Sequence, residues 1–281
     1  MRGGPACALA RDLSTPSISS ERKGDRLPQS SRPALAYEDI GEDIGPGSPV
    51  LLIHGFAGTA RAHFTPLIAA LEPEYRIIAP DLSGHGRSAA IERQVDARLH
   101  HADAADLLAL VERLALDEVN LIGFSDGAET AIILAALLGD RARSMTIWGA
   151  SGRVPPQPIV ALYADPEARI RSWPTLRADL ERLHGFGSAL PMLTRWAAAM
   201  EDLRASGGII NDDEAARVQC PTLALAGDHD PFNPLAATQA LVERLPHARL
   251  VTLPGAGHDL LAERQAQVIA LVRRMLGSPR V

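Results

Sequence analysis

Lysine is nearly absent: of 28 basic residues only Lys23 is not an arginine, and 34 acidic residues leave a net charge of −6. No basic stripe remains to follow a phosphate backbone, which excludes a nucleic-acid binder. The arginine bias reads as the codon usage of a GC-rich genome. Cysteine occurs twice, too seldom for a disulfide framework. Cys7 lies in an aperiodic stretch and Cys220 at the start of an apolar run, so no bridge between them is expected. The chain fits a reducing, cytoplasmic compartment. No apolar run reaches the roughly 20 residues of a membrane span. Ala6 to Ala10 is cut off by Arg11 and Asp12, which leaves no secretory core. No His/Cys/Asp/Glu spacing matches a metal site. Gly84-His85-Gly86 lacks both the Lys-Ser/Thr of a phosphate loop and the spacing of a dinucleotide fingerprint. Neither a metal nor a cofactor is expected.

What is present is core material. The 281 residues are 46% hydrophobic and 22% charged, with ample material for a core, and their length suits one large α/β domain or two small ones. Residues 1–33 are rich in Ser, Pro and Arg and show no period. They read as a disordered extension without chemistry, or as translation from a start codon set too far upstream. A transit peptide is opposed by Asp12, Glu21 and Asp25.

From residue 34 the pattern becomes regular. Strands are expected at Ala34–Asp39, Val50–Ile53, Tyr75–Ala79, 119–124 and 144–149, with a Gly45-Pro46-Gly47 turn after the first. Helices are expected at 60–71, Ala97–Leu116 and 126–138. Leu107, Leu110, Val111 and Leu114 share one face of the second. The uninterrupted apolar run Val50-Leu51-Leu52-Ile53 suits a strand buried on both faces of a parallel sheet. At about residue 152 the alternation stops. Residues 152–217 carry Pro155, Pro156 and Pro158, several helical pieces and no strand pattern. Alternation then resumes with strand Thr222–Ala226, helix 234–245, strand Arg249–Leu253 and helix 259–276. The simplest account is one parallel sheet flanked by helices, residues 34–281, with a helical insertion at 152–217. The insertion holds Trp173, Phe186, Met192, Trp196 and Met200. Two readings stand open: these side chains form its own small core, or some of them line an apolar pocket.

Gly123-Phe124-Ser125-Asp126-Gly127 joins the strand at 119–124 to a small-residue helix. A strand that turns into a helix through G-x-S-x-G is a nucleophile elbow, with glycines where side chains would collide. Its serine stands beside the free N–H groups of a helix N-terminus. A serine hydroxyl needs a base, usually a histidine oriented by a carboxylate. In a parallel sheet such partners belong past the carboxyl ends of strands. Two segments qualify: Gly227-Asp228-His229-Asp230 and Gly255-Ala256-Gly257-His258. The order Ser…Asp…His is that of one serine-hydrolase class.

With His54-Gly55-Phe56 and Asp81-Leu82-Ser83-Gly84-His85-Gly86-Arg87-Ser88 these segments form five ordered motifs. The chain resembles the α/β-hydrolase fold enzymes from Ala34 to its end. The Ser-Asp-Gly elbow and the spacing from Ser125 to His258 are similar to the valacyclovir hydrolase (biphenyl hydrolase-like) group. The resemblance implies Ser125 as nucleophile, His258 as base and Asp230, last in G-x-x-D, as the acid, with Asp228 capping the loop. It also implies an oxyanion hole from the backbone N–H groups of Asp126 and Phe56, and an Asp126 carboxylate that recognises the α-amino group of amino-acid esters. The bland alternative for Asp126 is a carboxylate favoured by a helix N-terminus.

The expected function is therefore hydrolysis of a small carboxylic ester, with α-amino-acid esters included, through an acyl-enzyme. Phe56, Asp126, Trp173 and Trp196 are the expected substrate contacts. The rivals are hydrolysis of carbon–carbon bonds in ring-cleavage products by the same triad, and a small-ligand-binding protein of weak activity. Dehalogenases and epoxide hydrolases carry an aspartate at the elbow, so Ser125 weighs against both. His54 and His85 read as structural, whereas His63, His100, His101, His184 and His247 read as surface residues. A monomer and a small homo-oligomer stay equally open.

Overall fold

The computed structural model describes residues 34–41 and 47–277. The expectation for 1–33 and most of the Gly45-Pro46-Gly47 turn lie outside them. Among the described residues seven strands form one sheet: β1 (Tyr37–Ile40), β2 (Val50–Ile53), β3 (Ile77–Pro80), β4 (Val119–Phe124), β5 (Ala142–Trp148), β6 (Thr222–Gly227) and β7 (Ala248–Leu253). Their order is β1-β3-β2-β4-β5-β6-β7. β1 runs antiparallel to β3 and every other pairing is parallel. The chain leaves β2 to build one side of the sheet and returns at β4 to build the other. The carboxyl ends of β2 and β4 therefore flank a crevice where an open sheet binds ligands.

Each central strand sends alternate side chains to opposite layers, the two-residue period of a strand. Leu51, Ile53, Leu121 and Ile147 face α2 (Leu99–Arg113) and α3 (Asp126–Leu138), where Leu107, Leu110, Val111 and Ile132 meet them. Val50, Leu52, Ile122 and Trp148 face the opposite layer. There α1 (Ala60–Leu71) brings Phe64 and Leu67, and the C-terminal helix brings Val268 and Val272. Burial on both faces explains why these strands read as continuous apolar runs.

Of the five helices between β5 and β6, four make up most of the region without strand pattern: α4 (Gln157–Ala164), α5 (Pro166–Ser172), α6 (Leu176–His184) and α7 (Ala189–Ala205). Val160, Leu180, Leu193, Trp196 and Met200 form their own apolar cluster, which also takes in Leu99 of α2. An antiparallel bridge, Arg153 to Ile209, draws the two ends of this segment together. A short α8 (Asp212–Ala215) and α9 (Leu235–Val242) follow.

Some boundaries differ from the sequence pattern. The first strand begins at Tyr37, because the Ala36 N–H is already taken by Ser88 Oγ at 2.9 Å. The expected helix at 259–276 is two, α10 (Leu260–Glu263) and α11 (Gln265–Leu276). Arg264 leaves helical geometry between them at φ −137°, ψ 41°. Among the described residues no helix is long and apolar enough to cross a membrane.

Candidate active site

Ser125 is the first residue past β4 and caps α3 with φ 56° and ψ −126°. Few non-glycine residues hold a positive φ, and doing so costs about 1–3 kcal/mol. The chain accepts this strain because packing on both sides fixes the turn. The Ser125 N–H donates to Trp148 O at 2.9 Å. A Cβ on Gly127 would lie 2.1 Å from Ile53 O, and one on Gly123 2.5 Å from Gly127 O. Helix α3 can thus start close against the end of β2 only with glycine at these positions.

His258 lies in the loop after β7 and Asp230 in the loop after β6. The two loops pack so closely that a Cβ on Gly227 would come within 2.2 Å of Ala256 O. His258 Nε2 stands 3.0 Å from Ser125 Oγ, and Nδ1 stands 2.8 Å from Asp230 Oδ2. A carboxylate only accepts, so Nδ1 carries the proton and Nε2 offers its lone pair to the serine O–H. The other Asp230 oxygen accepts from the backbone N–H groups of Phe232 (2.8 Å) and Asn233 (3.1 Å). The imidazole is wedged between the rings of Phe232 (4.6 Å) and Phe124 (5.1 Å). The structure thus brings Ser125, His258 and Asp230 into one hydrogen-bonded line. Asp228 stands apart, exposed, accepting from the Gly255 N–H at 2.7 Å.

Phe56 follows β2 and lines the same cavity as Ser125 and Asp126. Its loop is fixed by two histidines. His54 donates from Nδ1 to Gly55 O (2.9 Å) and accepts the Leu82 N–H at Nε2 (2.9 Å). His63 Nδ1 accepts the Gly55 N–H at 3.2 Å. Burial lowers the His54 pKa to about 4 and that of His63 to about 3, so both stay neutral and can accept these bonds.

The cavity holds about 350 Å³. Trp196, on α7, forms part of its wall: the indole stacks on Phe56 at 4.8 Å and donates its N–H to Asp126 Oδ2 at 2.9 Å. Trp173 stands at the mouth, 45% exposed. Asp126 is buried. Its Oδ1 faces His100 Nε2 at 3.6 Å, beyond hydrogen-bonding distance. Burial alone would raise the Asp126 pKa. The His100 imidazole, the buried Arg93 guanidinium and the Trp196 N–H outweigh it, and the carboxyl stays below its ordinary range. Glu129, one turn further along α3, goes the other way: burial raises its pKa against the Ser151, Gly152 and Asn211 donors that its oxygens accept.

Three of the histidines read as surface residues are not on the surface. His100 and His184 are buried and His63 is half-buried in the cavity wall. His184 Nδ1 accepts from the Gly86 N–H (2.9 Å) and Nε2 donates to Ala57 O (3.0 Å). Polar neighbours in sequence concealed this, because burial here comes from tertiary contacts: His100 faces Asp126, His63 the Gly55 N–H and His184 the backbone at Gly86 and Ala57. His101 is half-buried at 3.4 Å from Glu214, whereas His229 and His247 are exposed. Sequence reasoning also missed Gly149. At φ 69°, it leaves room for the histidine, since a Cβ there would lie 2.8 Å from His258 Cε1. Its position directly after β5, at the edge where sites form, was the available signal.

A strained serine between a strand and a helix, with a histidine and an aspartate from the last two strand ends, defines a class. Residues 50–271 match the model of the alpha/beta hydrolase family, and the chain belongs to that family. Among its relatives is the serine hydrolase BPHL of Mus musculus, 28% identical over 228 residues, which are 80% of this chain and 77% of the relative. A 2-hydroxy-6-oxo-6-(2'-aminophenyl)hexa-2,4-dienoic acid hydrolase of Metapseudomonas resinovorans is 26% identical over 79% of this chain and 81% of its own length. Of the solved structures, a thermophilic esterase from Thermogutta terrifontis superposes with a TM-score of 0.64 and 26% identity, over 86% of this chain and 92% of that one.

Proposed function

We propose that this chain is a serine hydrolase of small carboxylic esters working through an acyl-enzyme. The observation that carries the reading is the line from Ser125 Oγ through His258 to Asp230, at 3.0 and 2.8 Å. His258 Nε2 takes the serine proton as Oγ attacks the ester carbonyl, and the backbone N–H groups of Phe56 and Asp126 stabilise the oxyanion. The imidazolium, steadied by Asp230, protonates the departing alkoxide. Water, activated by the same histidine, then releases the acid. The helices α4–α7 act as a lid whose Trp196 and Phe56 form an apolar wall to the site.

Within this reading Asp126 selects substrates with an α-ammonium group. Supporting it are a buried carboxylate held ionised beside the nucleophile and an oxygen, Oδ1, without a hydrogen bond within reach. The second reading, hydrolysis of a carbon–carbon bond, draws on the likeness to the dienoic acid hydrolase. A panel of p-nitrophenyl esters, α-amino esters and a ring-cleavage dienoate separates these. The expected outcome is a burst of p-nitrophenol equal to the enzyme concentration, and slow or no loss of dienoate absorbance. Asp126→Ala should lower kcat/KM for an α-amino ester by about ten-fold or more, the equivalent of a lost charge-assisted contact. It should spare a neutral ester of equal size; equal losses on both would reduce Asp126 to a helix-terminus residue.

A further inference from the structure

The cavity wall carries several charged side chains, and nearly all of them have partners. Asp126 accepts from Trp196, and Glu129 from two backbone N–H groups and Asn211. Asp259 caps α10 by accepting the Ala262 N–H, and Asp179 lies 3.6 Å from Arg182. Arg153 is held in a two-pronged pair by Asp212. Arg169 of α5 differs. Among the described residues no carboxylate pairs with it, and its Nε is buried without a hydrogen-bond partner. The acids nearest in sequence are committed elsewhere, Asp165 to the Ala168 N–H and Glu167 to Arg177. The guanidinium lies instead between two aromatic rings, with Cζ 5.1 Å from the Tyr163 centroid and 5.2 Å from that of Trp173. Among the described residues its one side-chain hydrogen bond is long, 3.5 Å to the Tyr163 hydroxyl.

Two rings hold a planar cation at a fixed tilt without consuming its N–H donors. A buried donor left unpaired is unusual and calls for an explanation such as an absent ligand. Arg169 lines the same cavity as Ser125, and Trp173 beside it stands at the mouth. We infer that Arg169 is a specificity-determining residue that binds a carboxylate at the end of the substrate remote from the scissile ester. The forked donors of a guanidinium match the two oxygens of a carboxylate, whereas a neutral chain end would leave them unpaired. Asp126 beside Ser125 and Arg169 beside Trp173 then offer opposite charges to two parts of one substrate. The inference rests on the ester-hydrolase reading of the site.

The test compares monoethyl esters of straight-chain dicarboxylic acids, from succinate to suberate, with ethyl esters of monocarboxylic acids of equal length. At the length that reaches Arg169 the acidic ester should be favoured in kcat/KM by about ten-fold or more. Arg169→Met should bring that ratio close to one, with Arg169→Lys between. A wild-type ratio near one at every length, or an unchanged ratio in Arg169→Met, overturns the inference. Calorimetric titration of Ser125→Ala protein with monoethyl adipate and ethyl hexanoate separates its failure from that of the reaction. Tighter binding of monoethyl adipate that vanishes in Ser125→Ala/Arg169→Met upholds the anion site even if no ester is cleaved. Equal binding of the two esters by Ser125→Ala protein, together with ester cleavage by the wild type, sinks the anion site and leaves the hydrolase.

Discussion

Below the cavity, Ser125, His258 and Asp230 stand at the ends of three parallel strands and are fixed by the backbone. Strand pairing, a strained turn and glycines at van der Waals contact with neighbouring carbonyls leave them little freedom. Above it, α4–α7 hold the wall through side chains: an indole on a phenyl ring, an indole N–H on a carboxylate, a guanidinium between two rings. Ser125 and Asp230 are placed by covalent geometry and main-chain hydrogen bonds, which few substitutions alter, and His258 by its loop and the rings of Phe124 and Phe232. The side chains of the wall above are placed by packing, which many substitutions alter. One sheet edge can therefore keep its chemistry while the helices over it change what enters.

The largest effects should come from below. Ser125→Ala and His258→Ala should each cut kcat by roughly 10⁴-fold or more, and the double variant should be hardly worse, since the base and nucleophile of the proposed mechanism act as a unit. Asp230→Asn should lose less than either, because the attacking pair stays in place. Additive losses in the double variant would break the idea of one rigid unit. Steady-state and burst kinetics on an activated ester read all three.

Above the cavity the effects should be smaller and should depend on the substrate. Trp196→Phe keeps a ring against Phe56 but removes the donor to Asp126. It should lower the unfolding free energy by about 1.5–3 kcal/mol, the range for a hydrogen bond to a charged group. KM for long-chain esters should rise more than for an acetyl ester. Unchanged stability in urea titrations would show that the wall is held by stacking alone.

The smallest effect concerns the loop between the two regions. The folded-state pKa values of His54 and His63 lie below the unfolded value near 6.5. The unfolded chain therefore binds more protons in acid. Their contribution to stability is complete above about pH 6.5 and is lost as pH falls through about 4 and 3. His63→Asn places an amide oxygen where Nδ1 accepts the Gly55 N–H and removes one of the two titrations. Its melting temperature should fall less steeply between pH 6.5 and 4 than that of the wild type. Parallel curves would show that His63 does not couple loop stability to pH.

The lower half was legible because each of its elements carries a local signature. Val50–Ile53, Val119–Phe124 and helix 126–138 fall where apolar runs and the Gly-x-Ser-x-Gly turn put them. The upper half was not. His100 and His184 sit among polar neighbours in sequence, and only tertiary contacts bury them, His100 against Asp126 of α3 and His184 against the backbone at Gly86 and Ala57. Arg169 is one arginine among many until Tyr163 and Trp173 close around it.

The sequence by itself determined the alternation of strands and helices, the elbow and the chain order of serine, acid and histidine. These follow from side-chain periodicity and from backbone conformations open to few residues. Only the tertiary structure decided which acid reaches His258, that Gly149 makes room for that ring and that Trp196 bonds Asp126. Among the described residues, it alone left Arg169 without a paired carboxylate. Each of these is a meeting of residues far apart along the chain, and a contact made by folding has no period to read.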